Sequence, residues 1–169
     1  MGIEKGTISA GAQASGLTGN ASDNTLTGNE GSNTLNGAVG RDSLFGGLGN
    51  DVLNGGVGND ALTGGIGKDT FVFNSAIIAN VDKITDFKTV DDTLKLENQI
   101  FTKLTVTGVL NVGFFVKGSA ALDTNDVVIY NPTTGVVTYD SDGSGIGQGV
   151  QIAALGVNLS LTNADFVII

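Results

Sequence analysis

Six short oxygen-bearing side chains recur at intervals of nine residues: Asn24, Asn33, Asp42, Asp51, Asp60 and Asp69. Carboxylate and amide oxygens repeated in this way suit the coordination of hard cations. Composition removes the competing chemistries. The 169 residues contain no Cys and no His. That excludes disulfides, thiol catalysis, the usual zinc and copper ligands and the commonest general base. The 17 acidic against 8 basic residues give a net charge of -9, which opposes nucleic acid and anionic lipid and favours cations. No nucleic-acid partner is expected. No apolar run is long enough for a transmembrane segment.

These oxygens are placed by a repeat. From Gly19 to Val72 the chain divides without a break into GNASDNTLT, GNEGSNTLN, GAVGRDSLF, GGLGNDVLN, GGVGNDALT and GGIGKDTFV. Position one is always Gly, and position four is Gly in all but the first. Position eight is always apolar: Leu26, Leu35, Leu44, Leu53, Leu62 and Phe71. The first six residues are turn chemistry, and the last three form a short strand with one side chain pointing inward. Two nonapeptides make one turn of a flattened solenoid, so each loop stacks on the loop two repeats away. Asn24, Asp42 and Asp60 then line one edge, and Asn33, Asp51 and Asp69 the other. Leu26, Leu44 and Leu62 face Leu35, Leu53 and Phe71 across a thin core.

A flexible glycine-rich linker has no reason to keep this phase. With 27 Gly and 1 Pro, the composition suits a regular backbone with many tight turns, and an all-β protein is expected. Six apolar side chains are a small core for six ordered nonapeptides. Stacked carboxylates also repel until neutralised. The roll is therefore expected to be unfolded without a cation and folded with one.

The last three nonapeptides match GGxGxDxUx in full, and in this the chain resembles the RTX family of hemolysin-type calcium-binding repeats. The resemblance implies a parallel β-roll holding several calcium ions between stacked loops. In each implied site the earlier loop offers carbonyls from positions two and four with its position-six side chain. The later loop offers carbonyls from positions one and three with its own. The first strong site would use Ala38, Gly40 and Asp42 with Gly55, Val57 and Asp60. The second would use Gly47, Gly49 and Asp51 with Gly64, Ile66 and Asp69. Two weaker sites would join Asn20, Ser22 and Asn24 to Gly37, Val39 and Asp42, and Asn29, Gly31 and Asn33 to Gly46, Leu48 and Asp51. An Asn ligand leaves each with one negative charge fewer.

After Val72 the period stops. Residues 1–18 read as a lead-in or degenerate repeat, 19–72 as the roll and 73–169 as a β-rich cap on its open end. Expected strands in the cap are Asp82–Phe87, Thr93–Leu96, Leu104–Thr107, Asp126–Tyr130, Val136–Asp140, Val150–Ala154 and Phe166–Ile169. A hairpin turn is expected at Asn131–Gly135. The segments DTFVF, VDKITDF, DDTLKL, VVTYDSDGSG and LTNADFVII are similar to the C-terminal region of serralysin-like RTX proteins. Their protease motif HExxH is absent. Asp82 and Asp86 are candidates for a further calcium site, Asp91-Asp92 for a charged turn. Asp140-Ser-Asp142-Gly-Ser-Gly145 has the start of an EF-hand loop but Gln151 at its twelfth position, which favours a glycine-rich turn.

The opening Met-Gly-Ile-Glu-Lys-Gly lacks an apolar signal core. The closing Asp-Phe-Val-Ile-Ile is similar to the C-terminal signal read by type I secretion machinery. The resemblance thus implies a non-enzymatic module of a secreted, extracellular protein, exported by the Gram-negative type I route, that folds on meeting calcium and serves a passenger domain. The alternative is a calcium-dependent adhesion module binding cell-surface polysaccharide. Carboxylate pairs could serve acid–base catalysis, but no other feature of the chain suggests a substrate pocket.

Overall fold

The structure is a computed structural model that describes residues 5–8, 15–77, 80–143 and 149–169. Its strands are short because each nonapeptide gives only its last residues to extended backbone. Strands β1 (Lys5–Thr7) and β2 (Ser15–Thr18) precede the repeats. The repeats supply β3 (Thr25–Thr27), β4 (Asn33–Asn36), β5 (Ser43–Leu48), β6 (Val52–Asn54), β7 (Ala61–Ile66) and β8 (Thr70–Phe73). Then follow β9 (Asp82–Ile84), β10 (Thr93–Leu96), β11 (Gly108–Val109), β12 (Phe115–Lys117), β13 (Val128–Asn131), β14 (Val136–Tyr139), β15 (Val150–Ala154) and β16 (Phe166–Ile168). Among the described residues helix is confined to two 3-10 turns, Val112–Phe114 and Asn163–Asp165.

Successive strands alternate between two sheets. One runs β1-β3-β5-β7-β9 and the other β2-β4-β6-β8-β10, and these strands pair in parallel. Leu26 aligns with Leu44 and Leu44 with Leu62. Leu35 aligns with Leu53 and Leu53 with Phe71. The expected parallel roll is thus present, in the expected register. All six of these side chains are fully buried, each worth about 1.5–3 kcal/mol of apolar burial. Position-three residues of the loops, Val39, Leu48, Val57 and Ile66, stay exposed.

The ladder runs beyond the nonapeptide period at both ends. Leu17 aligns with Leu35. Past Val72, Ile84 aligns with Leu62 and Leu94 with Phe71, although the loops between have lengthened. Phe166 then stacks on Leu94. Only there does the pattern change. The first sheet continues through β15, β14 and β13 as an antiparallel meander, and β11 runs antiparallel to β16. Phe101 meets Tyr139 edge-on at 5.1 Å inside this cap. The buried Tyr130 hydroxyl donates to the Gly156 carbonyl and accepts from the Leu159 N–H.

The hairpin forms where expected, with the Asn131 carbonyl accepting from Gly135 N–H and Gly135 at φ 76. Leu104–Thr107 is not a strand: Leu104 closes a turn on the Phe101 carbonyl and is buried. The strand begins four residues later, at Gly108. β13 starts at Val128 rather than Asp126, because the Asp126 carboxylate holds a turn by accepting from Leu122 and Asp123 N–H. β12 was not expected. Ser144 and Gly145 of the glycine-rich turn, and part of the lead-in, lie outside the described residues. No helix among the described residues is long and apolar enough to cross a membrane.

Because Leu62 is fully buried between two aligned neighbours, Leu62→Ala should cost about 2–5 kcal/mol in denaturant unfolding with calcium present. Val57→Ala, at an exposed loop position, should change stability by less than about 0.5 kcal/mol.

Candidate metal centre

Each edge of the roll carries a column of buried position-six side chains. On the first edge the N–H of Asn24 donates to Asp42 Oδ1, that of Asp42 to Asp60 Oδ1 and that of Asp60 to Asp82 Oδ1, at 2.7, 2.7 and 3.1 Å. On the second, Asn33 donates to Asp51, Asp51 to Asp69 and Asp69 to Asp92, at 2.7, 3.0 and 3.0 Å. These bonds use one oxygen of each carboxylate. The other, Oδ2, is buried without a partner in Asp42, Asp51 and Asp60. A charged oxygen left this way is costly unless something positive reaches it.

The glycines show where that would be. A Cβ on Gly37 would collide with Asp42 Oδ2 and with the Gly55 carbonyl oxygen of the next loop. One on Gly46 would collide with Asp51 Oδ2 and the Gly64 carbonyl oxygen. A carboxylate oxygen and a carbonyl oxygen from successive loops therefore converge at each place. Similarly, a Cβ on Gly58 or Gly67 would overlap the carbonyl of Gly40 or Gly49 in the loop before. Among the described residues no group of three or more acidic side chains gathers as a metal cluster. Main-chain oxygens must supply most of any coordination shell, as hard-cation sites allow.

The loops fall into two kinds. From the third repeat on, positions two and four have positive φ: Ala38 (80) and Gly40 (132), Gly56 (96) and Gly58 (139) on one edge, Gly47 (114) and Gly49 (100), Gly65 (103) and Gly67 (147) on the other. The first two loops lack this bend and close on themselves. Asn20 N–H donates to Asn24 Oδ1 and Asn29 N–H to Asn33 Oδ1, both at 2.7 Å. The amide oxygens expected at the weaker sites are thus already accepting within their own loops.

The family model of the RTX calcium-binding nonapeptide repeat matches residues 17–44 and 37–71, in four copies. These residues form an RTX calcium-binding roll. Among solved structures the chain is similar to two subunits of the Azotobacter vinelandii mannuronan C5-epimerase. For AlgE6R2 the identity is 24%, over 92% of each chain, with a TM-score of 0.55. For AlgE6R3 it is 21%, over 92% of this chain and 78% of that one, with a TM-score of 0.47. The first likeness bears on the fold. No curated protein sequence matches the chain.

Beyond the RTX repeats, Asp82 stands in the first column under Asp60. Asp86 does not share its position. It lies by the second edge, accepting from Gly64 and Gly65 N–H at 3.0 and 2.8 Å. The second column is instead continued by Asp92, expected only as a charged turn. Its signal was in the sequence: Asp92-Thr-Leu94 repeats the D-x-apolar ending of Asp69-Thr-Phe71. Asp140 is buried and its Oδ1 accepts from Asp142 N–H, the local bond of a turn.

Burial pushes the Asp42 and Asp51 carboxyls up to about 6, against the lowering effect of the N–H bonds they accept. Burial pushes Asp82 up to about 8, with the Asp60 charge adding to it. Asp60, Asp69 and Asp92 are raised for the same first reason. In the metal-free protein the folded chain then holds protons that the unfolded chain releases near pH 4. Its stability is greatest below that range and falls as pH rises through about 6 and then about 8. In chelator, lowering pH from 8 to 5 should therefore increase β-structure by circular dichroism. With calcium present, the same change should raise the calcium needed for half-folding, since protons compete for the same oxygens. Separately, Ala38 sits at φ 80, where glycine is easier, so Ala38→Gly should stabilise the calcium-loaded roll by about 0.5–1 kcal/mol in denaturant titrations.

Proposed function

We propose that this chain is a folding and export module of an extracellular protein, switched on by calcium held between its stacked loops. The observation that carries the reading is the pair of buried, partnerless oxygens, Asp42 Oδ2 and Asp51 Oδ2, each beside a carbonyl of the next loop. One tight ion would be held by Ala38, Gly40 and Asp42 with Gly55, Val57 and Asp60. The other would be held by Gly47, Gly49 and Asp51 with Gly64, Ile66 and Asp69. Bound there, calcium supplies the positive charge that lets adjacent carboxylates stack and ties successive turns together. The loops of Asn24 and Asn33 are weaker sites, because their amide oxygens are neutral and already engaged.

Residues 19–72 are then the roll and 73–169 its cap. RTX repeat proteins are typically secreted, and export supports the need for a chain that stays unfolded where calcium is scarce. Type I secretion machinery would read the C-terminus before Phe166–Ile168 joins the sheet as β16. Folding outside would hinder backsliding and template a passenger. We assign the module no catalytic role. Likeness to an epimerase subunit at this identity speaks for architecture, so the polysaccharide-binding alternative gains nothing from it.

Circular dichroism decides the core of this. The chelated chain should lack β-structure, millimolar calcium should restore it, and magnesium, with its stricter geometry, should fail at equal concentration. Order that persists in chelator near neutral pH would sink the reading. Asp51→Asn should remove one tight ion and raise the calcium midpoint by roughly tenfold, about 1.4 kcal/mol.

A further inference from the structure

The end of the second edge holds one more pair of stacked loops than the two tight sites use. Phe87–Asp92 lies under Gly64–Asp69 with the same bonds that join the repeats: Asp69 N–H to Asp92 Oδ1 at 3.0 Å and Thr93 N–H to the Asp69 carbonyl at 2.8 Å. Counting back from Asp92, Lys88 takes position two. Its ammonium donates to the Gly65 carbonyl at 2.6 Å. That carbonyl belongs to position two of the earlier loop, one of the oxygens each tight site assigns to calcium. The Lys88 N–H meanwhile closes on Asp92 Oδ2 at 2.8 Å, as Asn20 and Asn29 close on their own loops.

The first edge ends by different means at the equivalent atom. The Gly56 carbonyl accepts from Ser75 Oγ at 2.5 Å and from Asn80 Nδ2 at 3.1 Å, and Asn80 Oδ1 accepts from Gly58 N–H at 2.7 Å. Side-chain donors therefore take the last position-two carbonyl on both edges, and only on the second is the donor charged. That edge also concentrates acid. The Asp86 and Asp91 charges act on Asp69, and the Asp69 charge acts on Asp92. The positive charge of Lys88 opposes them at both Asp69 and Asp92. An ammonium is a compact point charge with three donors, so it can meet a carbonyl oxygen as a small cation does and act on nearby carboxylates through its field.

We propose that the Lys88 ammonium stands in for a calcium ion between Gly64–Asp69 and Phe87–Asp92, ending the second column with a built-in cation. The number of ions is then set by what meets the last loop and not by the count of stacked turns. The inference rests on the reading of the loops as calcium sites. Native mass spectrometry of the full chain in calcium tests the two separately.

Lys88→Met should bind one ion more than the parent chain, and Lys88→Arg, which keeps a fixed cation, should bind the parent number. Lys88→Met at the parent number overturns the proposal. So does a Lys88→Met chain that stays unfolded at any calcium concentration, because calcium should replace the lost charge. Asp51→Asn controls for the underlying reading. If it keeps the parent count, the loop sites themselves are wrong. If it loses an ion while Lys88→Met gains none, only the role of Lys88 falls.

Discussion

A buried carboxylate that receives one backbone N–H and leaves its second oxygen bare is the unit on which this molecule depends. Repeated down two edges, it fixes the spacing of the turns, since the N–H of one must reach the carboxylate of the next. That spacing brings carbonyls against the α-carbons of neighbouring loops, and glycine is what remains possible there. The leucine rows between the sheets are a consequence of the same register. They add apolar burial, but they do nothing for charges stacked a few ångströms apart. A divalent ion answers both needs, and the repeat is an RTX repeat for that reason.

Much of this was legible in the chain. The nine-residue phase located both columns, the core rows and the loop pairs, because a strict period leaves a solenoid little freedom. What escaped had broken phase. Asp92 lies 23 residues beyond Asp69 where the repeat allows 18, so counting missed it although its D-x-apolar ending was intact. Asp86, near the right count, goes instead to two glycine N–H groups. The difference between Asn and Asp loops was anticipated as a matter of charge. The structure adds conformation: without the positive φ at position two, the backbone N–H turns inward and occupies the side-chain oxygen.

The cap was harder to read, and for a physical reason. Its strands are held by contacts far apart in sequence, such as Tyr130 with Gly156 and Phe101 with Tyr139, which no local pattern announces. Thr93–Leu96 on the roll and Val150–Ala154 in the meander agree in full with expectation. The strand expected over Asp82–Phe87 stops at Ile84, before Asp86 turns to the Gly64 and Gly65 N–H groups, and the one expected from Asp126 starts two residues late.

The columns have a direction. Each turn gives its N–H to the carboxylate of the turn that follows, from Asn24 through to Asp82 and from Asn33 through to Asp92. The main-chain bonds between the same turns point back, the Ser43 N–H to the Asn24 carbonyl and the Thr93 N–H to the Asp69 carbonyl. Losing a turn at either end therefore strips a partner from an N–H of the turn that remains, so neither end can be trimmed without cost.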